Sequence, residues 1–282
     1  MNMNKKTCII VSGPTAVGKT NYGIELALKY NSSIISADSR QCFKELNIGV
    51  AKPSKEQLEK VPHYFINSHS IHDEVDVKVF EAYALKAAGK IFENNDTVIM
   101  VGGTGLYIKA FTDGLDDIPE VDENIRQEIN EQYKIHGFAW LRDKIRKEDP
   151  VFFSNGEMQN PQRMLRALEV KLSTGTSILD FHSGKKEKRD FEIKNILLEL
   201  PRQELYDNIS HRVDQMMEDG LLKEAEGLFS VRHLNALQTV GYKELFDYFE
   251  GKISLEKAVD EIKKNTRHYA KRQMTWFRRY KG

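Results

Sequence analysis

Cysteine is scarce in this 282-residue chain, where Cys8 and Cys42 are the whole complement. One thiol sits in an apolar run and the other in a polar stretch, which excludes a disulfide framework and a cysteine zinc site. The pattern fits a reducing compartment, so cytoplasmic residence is expected. Long apolar runs are missing too: nothing approaches the roughly 18–20 residues that span a bilayer. Residues 1–6 lead straight into a strand-like segment without a signal-peptide pattern, so no membrane partner is expected. Net charge is also absent, with 42 Lys+Arg against 42 Asp+Glu and 40% hydrophobic residues. That balance excludes collagen-like, mucin-like and wholly disordered chains, and the length suits one large or two moderate domains with proper cores. No long exposed apolar seam demands a second subunit, so a monomer is expected.

The neutral total conceals one asymmetry. Residues 262–282 contain Lys263, Lys264, Arg267, Lys271, Arg272, Arg278, Arg279 and Lys281 and no acidic residue. Such an end suits a polyanionic partner, and equally suits a solvated helix face.

Along the chain, residues 7–11 form a β-prone apolar run, followed by a glycine-bearing loop and a helix over 19–29 with Ile24, Ala27 and Leu28 at helical spacing. Residues 33–37 read as a second strand ending at Asp38. Residues 98–101 read as a third, ending at Gly102-Gly103-Thr104-Gly105, with Val79, Tyr83, Ala87 and Ile91 marking a helix between them. Alternating strands and helices predict an α/β fold with a doubly wound parallel sheet. After Phe111 an acidic, turn-rich stretch gives way to helix formers up to about Leu172, and residues 195–200 return to the strand pattern. The expected organisation is a core of residues 1–114, a helical insertion over 115–190, and completion of the core over 191–282 with a basic closing helix. Leu205, Ile209, Val213 and Met216 mark one amphipathic helix. Leu255, Val259, Ile262, Thr266, Tyr269, Gln273, Trp276 and Tyr280 mark the core-facing stripe of the last. Tyr269, Trp276 and Phe277 are expected to pack in the core.

Gly13-Pro14-Thr15-Ala16-Val17-Gly18-Lys19-Thr20 satisfies G-x-x-x-x-G-K-[ST] directly after a strand and at the start of a helix, the context a P-loop requires. Successive N–H groups of such a loop share one concavity. The helix start adds roughly half a positive charge, Lys19 adds a full one, and the Thr20 hydroxyl can ligate Mg²⁺. A diphosphate or triphosphate is therefore expected there. Hydrolytic nucleotidases usually close an apolar strand with an acidic residue, whereas residues 98–101 close on Gly-Gly-Thr-Gly. In a parallel sheet Asp38, Thr104 and the loop share the carboxyl edge and converge on one crevice. Asp38 is then a metal-linked carboxylate, a general base or a turn cap. Thr104 is a helix N-cap, or part of a turn whose glycines admit a substrate to the backbone.

The loop, Asp38-Ser39-Arg40-Gln41, the turn from Gly102 to Tyr107, Asn160-Pro161-Gln162-Arg163 running into Arg166-Ala167-Leu168-Glu169-Val170, Val240-Gly241-Tyr242 and Ala270-Lys271-Arg272-Gln273-Met274-Thr275-Trp276 occur in that order. Together they resemble the bacterial tRNA dimethylallyltransferase family, also called tRNA isopentenyltransferases, over nearly the whole chain. The resemblance implies transfer of a dimethylallyl group from dimethylallyl diphosphate to N6 of the adenosine 3′ of the anticodon, assisted by Mg²⁺. It implies a tRNA anticodon stem-loop held between core and insertion, with the target base flipped into a channel. By the same resemblance Asp38 is the catalytic base, Thr104 and Lys19 assist it, and Gly13, Thr15, Ala16, Val17, Gly18, Lys19, Thr20 and Arg212 hold diphosphate, with Thr20 on the metal. The tRNA would be met by Asp38, Ser39, Arg40, Gln41, Thr104, Arg126, Asn160, Pro161, Gln162, Arg163, Met164, Arg267, Lys271 and Arg272. One departure is Asn208, where many members carry the first of two arginines four residues apart, leaving Arg212 as the second.

Overall fold

The computed structural model describes residues 5–280; residues 1–4 and Lys281 of the basic tail lie outside the described residues. In chain order the first elements are β1 (Thr7–Ser12), α1 (Lys19–Lys29), β2 (Ile34–Ala37), α2 (Lys55–Lys60), β3 (His63–Tyr64), α3 (Val77–Phe92), β4 (Thr97–Gly102) and α4 (Gly105–Asp113). Then come α5 (Glu123–Glu148), α6 (Pro150–Asn155), α7 (Pro161–Thr174), β5 (Glu192–Leu197), α8 (Arg202–Glu218), α9 (Leu221–Leu228), α10 (Tyr242–Phe249) and α11 (Leu255–Arg279). The chain divides into two compact units, Met1–Gly114 with Glu187–Gly282, and Leu115–Lys186.

In the first unit five strands pair in the order β3-β2-β4-β1-β5, all parallel. Alternation along each strand sends Cys8, Ile10, Val98 and Met100 to one face, where residues of α3, α4, α10 and α11 cover them. Ile9, Val11, Ile99 and Val101 go to the other face, against Ile24 and Ala27 of α1. Burial on both faces explains why β1 and β4 read as continuous apolar runs. Gly102 lies where β4 presses on β2, and a Cβ there would collide with the Ala37 carbonyl. Gly102→Ala should cost about 1–3 kcal/mol of stability, read as a lower urea midpoint at unchanged slope, because backbone cannot step aside as a side chain can.

Some elements differ from the sequence pattern. The predicted strand at 195–200 is observed as β5 at Glu192–Leu197, because pairing with β1 sets Thr7 opposite Glu192 and Ser12 opposite Leu197. The buried face of α3 is Phe80, Ala84, Ala87, Ala88 and Ile91, with Val79 exposed because it falls off that face at helical spacing; Asp76 caps the helix by accepting from Val79 N. The return to the first unit comes at Glu187 and not after residue 190. Glu187 N donates to Asp113 O at 2.7 Å, and Arg189 donates to the carbonyls of Phe111 and Ala110 and to Glu81.

The second unit has its own core of Ile129, Leu141, Ile145, Phe152, Met164, Leu165, Leu168 and Val170, gathered from α5, α6 and α7. Local chemistry starts each helix. Asp149 accepts from Phe152 N, and Asn160 accepts from Gln162 N and Arg163 N ahead of Pro161 at the first helical position.

Candidate active site

Parallel register places Ser12 and Ala37 both opposite Gly102, so the chain leaves β1, β2 and β4 at one level of the sheet edge. Three segments therefore meet there: the loop 13–18, the turn beginning at Asp38, and the turn 103–105. The loop is built on left-handed backbone at Ala16 (φ 63°) and Gly18 (φ 95°), which points successive N–H groups inward. Gly18 stands at the start of α1 with no side-chain cap, so the first N–H groups of that helix face the concavity as an anion site.

A cavity of about 360 Å³ fills this concavity, lined among others by Thr15, Lys19, Thr20, Asp38, Arg212 and Tyr269. Lys19 Nζ donates to Pro14 O at 2.6 Å, and Arg212 Nη1 donates to Thr15 Oγ1 at 3.3 Å. Gln273 clamps the two glycine turns: its Oε1 accepts from Thr15 N at 2.8 Å and its Nε2 donates to Gly103 O at 3.0 Å. Asn208 donates to Ala16 O at 3.4 Å, holding the loop from α8. Gly13 lies beneath the loop against the Leu198 carbonyl, and Val17 packs its side chain with Leu205, Ile209 and Ala270, so neither lines the cavity with a side chain.

Burial and charge set the site's electrostatics. Burial draws the Lys19 ammonium down to about 7, with Arg212 adding to the fall and Asp38 opposing it. Arg212 is lowered by burial and held up by Asp38. Burial, with Asp38 beside it, pushes the Tyr269 phenol up to about 12. The site concentrates positive charge in a place with little water, a state that an incoming polyanion relieves.

A second cavity, of about 810 Å³, shares Thr15, Asp38, Val50, Ala51, Arg212 and Tyr269 with the first and extends past Ser39, Arg40 and Arg272. Asp38 thus stands where the two cavities meet. Its Oδ1 accepts from Arg40 N at 2.9 Å and Gln41 N at 3.3 Å, so it caps the turn while its carboxylate lines both cavities. Thr104 precedes α4, but its side chain caps nothing. Its hydroxyl accepts instead from Ser39 N at 3.2 Å, and Thr104 lines neither cavity, which places it behind the wall rather than in it. Gln41 lines the first cavity, with its amide donating to Val50 O and Ala51 O.

Of the residues named for RNA, Arg272 lines the second cavity with its guanidinium 5.8 Å from the Tyr269 ring centre. Lys271 is exposed, and Arg267 lies over Tyr206. In the second unit Gln162 and Arg163 are exposed, while Asn160 and Pro161 build the start of α7. Arg126 is paired with Glu123 and Glu169. Met164 is fully buried in that unit's core, because it falls on the apolar stripe of α7, and presents no side chain to a ligand. Tyr269 corrects the expectation of core packing, since it walls both cavities. The signal for it was Thr266, Tyr269 and Gln273, polar atoms at helical spacing within an otherwise apolar stripe.

A parallel α/β sheet whose strand ends set a glycine-rich, lysine-bearing loop opposite a carboxylate, with two adjoining cavities, suits an enzyme of the group-transfer class. Residues 41–280 match the family model described as IPP transferase, and the chain belongs to that family. It is 47% identical to the tRNA dimethylallyltransferase of Christiangramia forsetii, covering 96% of this chain and 90% of the relative. It is 45% identical to that of Flavobacterium johnsoniae, covering 97% and 91%. Among solved structures it resembles a tRNA isopentenylpyrophosphate transferase from Bacillus halodurans, with TM-score 0.70, 36% identity, and 98% and 88% of the two chains covered. A eukaryotic dimethylallyltransferase acting on tRNA matches with TM-score 0.79 and 26% identity, over 96% of this chain and 69% of that one.

Proposed function

We propose that this protein transfers the dimethylallyl group of dimethylallyl diphosphate to N6 of the adenosine 3′-adjacent to the anticodon in tRNA, releasing diphosphate. The observation that carries this reading is Asp38 at the junction of two cavities, one an anion cradle and the other wide enough for a nucleobase. Family membership and the names of the relatives support it.

Breaking the allylic C–O bond leaves positive charge on carbon and sends the electron pair to diphosphate. The loop amides, Lys19 and Arg212 stabilise that departing charge as it forms, which is binding of the transition state in preference to the ground state. The adenine amine is a poor nucleophile because its lone pair is delocalised into the ring. Asp38 accepts its proton as the new C–N bond forms, while Ser39 N–H bonded to Thr104 keeps the turn in place. An adenine in a stack cannot reach Asp38, so the base is extruded from the anticodon loop, at modest cost because that loop is single-stranded.

Thr20 suits Mg²⁺, since magnesium at phosphate sites takes one or two protein oxygens and completes its shell with phosphate oxygens and water. When bound it neutralises charge on the leaving group. No helix of the described residues is long and apolar enough to cross a membrane; cytoplasmic residence and a monomeric state complete the proposal.

Incubation with labelled dimethylallyl diphosphate and unmodified tRNA tests the reading: label on adenosine within RNA is expected, and label on free nucleotide alone, or consumption of ATP with a phosphorylated product, would overturn it. Neutralising Lys271 and Arg272 together should weaken tRNA binding and reduce the slope of log affinity against log salt by roughly 1–2, as lost phosphate contacts do. A filter-binding titration across salt concentrations measures it.

A further inference from the structure

Val240 and Gly241 line the second cavity, but Tyr242 beside them lines neither cavity and has no part in the chemistry above, and the same holds for Glu224. Yet Glu224 on α9 accepts three hydrogen bonds: from Ile48 N at 2.9 Å on Oε2, and from Gly49 N at 3.0 Å and Tyr242 OH at 2.6 Å on Oε1. The Tyr242 ring is fully buried and lies so close to Gly49 that a Cβ there would sit 2.6 Å from Cζ. The carboxylate and the ring together therefore hold residues 48–49 by backbone, alongside the packing of the Ile48 and Val50 side chains against the core that contains Tyr242.

What they hold is the wall common to both cavities. Val50 and Ala51 line each of them, and Ala51 adopts left-handed backbone at φ 48°, a conformation an alanine keeps only when its surroundings impose it. The carbonyls of Val50 and Ala51 accept from Gln41 Nε2 at 3.3 and 3.0 Å, while Gln41 Oε1 accepts from Ser36 Oγ at 3.1 Å on β2. The backbone N–H of Gln41 in turn donates to Asp38 Oδ1. Hydrogen bonds, joined by short stretches of covalent chain, connect Glu224 through the loop and Gln41 to the carboxylate at the cavity junction.

We propose that Glu224, oriented by Tyr242, is a positioning residue for prenyl transfer, fixing the 48–51 loop and through Gln41 the Asp38 carboxylate. The proposal rests on the transferase reading and adds to it a residue remote from both substrates. Small displacements of a reacting group cost rate far more than they cost binding. Glu224→Gln preserves the size of the side chain and presents an amide where a carboxylate oxygen met an N–H. Tyr242→Phe keeps the ring against Gly49 and removes only the phenolic donor.

The test is steady-state kinetics of both variants with dimethylallyl diphosphate and tRNA, alongside thermal melting. Glu224→Gln should lower kcat by roughly 10- to 100-fold, with KM for the diphosphate within about threefold of wild type. Tyr242→Phe should show a smaller fall of the same kind and decides the matter if the first variant does not fold. In an Asp38→Asn background, Glu224→Gln should add almost no further loss, since a residue that works through Asp38 has nothing left to position. Wild-type kcat in both variants, or losses that multiply in the double variant, would overturn the proposal. Amide exchange on the same proteins separates this failure from that of the transferase reading: faster exchange at Ile48 and Gly49 in Glu224→Gln supports the tether even if wild type transfers nothing, and unchanged exchange overturns it whatever the activity.

Discussion

Replacing Asp38 with alanine is expected to lower prenyl transfer to tRNA by roughly 10²- to 10⁴-fold, the usual contribution of a positioned general base. The alanine also deprives Arg40 N and Gln41 N of their acceptor, so part of its effect comes from a loosened turn. Asp38→Asn separates the two causes. The asparagine oxygen still accepts both N–H groups but cannot take a proton from the adenine amine, so it should lose nearly as much rate while melting close to wild type. Diphosphate affinity should hold or tighten in both variants, because a negative neighbour of the cradle has gone. A quenched-flow assay under single-turnover conditions measures the chemical step; transfer at the wild-type rate in Asp38→Asn would remove proton abstraction from the mechanism.

Lys19→Met should have effects of opposite sign on activity and on the stability of the free protein. Removing one preorganised cation facing the departing charge should cut kcat/KM by roughly 10²- to 10³-fold. In the free protein, however, Lys19 titrates at about 7 because it is buried, against 10.5 in an unfolded chain. Below pH 7 the folded state carries the full cost of a charge withdrawn from water. Between pH 7 and 10.5 the unfolded chain binds more protons than the folded one, so this cost shrinks as pH rises and is gone above 10.5. The methionine variant should therefore melt higher than wild type, most clearly at pH 6–7, with the gain fading toward pH 10; about 2–4 °C corresponds to each kcal/mol relieved in a chain of this size. Diphosphate should raise the melting temperature of wild type far more than that of the variant, since the anion restores the lysine to its charged form. Scanning calorimetry at several pH values, with and without diphosphate, measures both. A variant less stable than wild type at pH 6 would show that the lysine's aliphatic stem, and not its charge, dominates its place in the fold.

The elements closest to the chemistry were the most legible. The loop from Gly13 to Thr20 declares itself because glycine spacing, lysine and hydroxyl occur together after an apolar strand, and each is demanded by a local backbone or charge requirement. Asp38 and the 102–105 turn follow from strand ends alone, since a parallel sheet brings all its carboxyl ends to one edge. The helical stretch beyond Phe111 was recognisable from composition, yet its closing boundary was not, because Arg189 belongs to the first unit through contacts with residues about 80 positions away. Tyr269 reads as core because it shares the stripe of α11 with apolar residues. Only the polar atoms that Thr266, Tyr269 and Gln273 bring to that inward-facing stripe distinguish a cavity wall from packed side chains.

Sequence by itself determined the parallel α/β class, the glycine-rich loop after the first strand and the carboxylate at the next strand end, because these depend on short-range spacing and on a sheet edge that local pattern implies. Only the tertiary structure decided that Gln273 bridges the two glycine turns, that Thr104 supports Ser39 instead of capping its helix, and that Glu224 reaches the 48–51 loop from α9. Those partners lie far apart in the chain, and an unpaired glutamine, threonine or glutamate looks the same in any sequence until packing assigns it a hydrogen-bond partner.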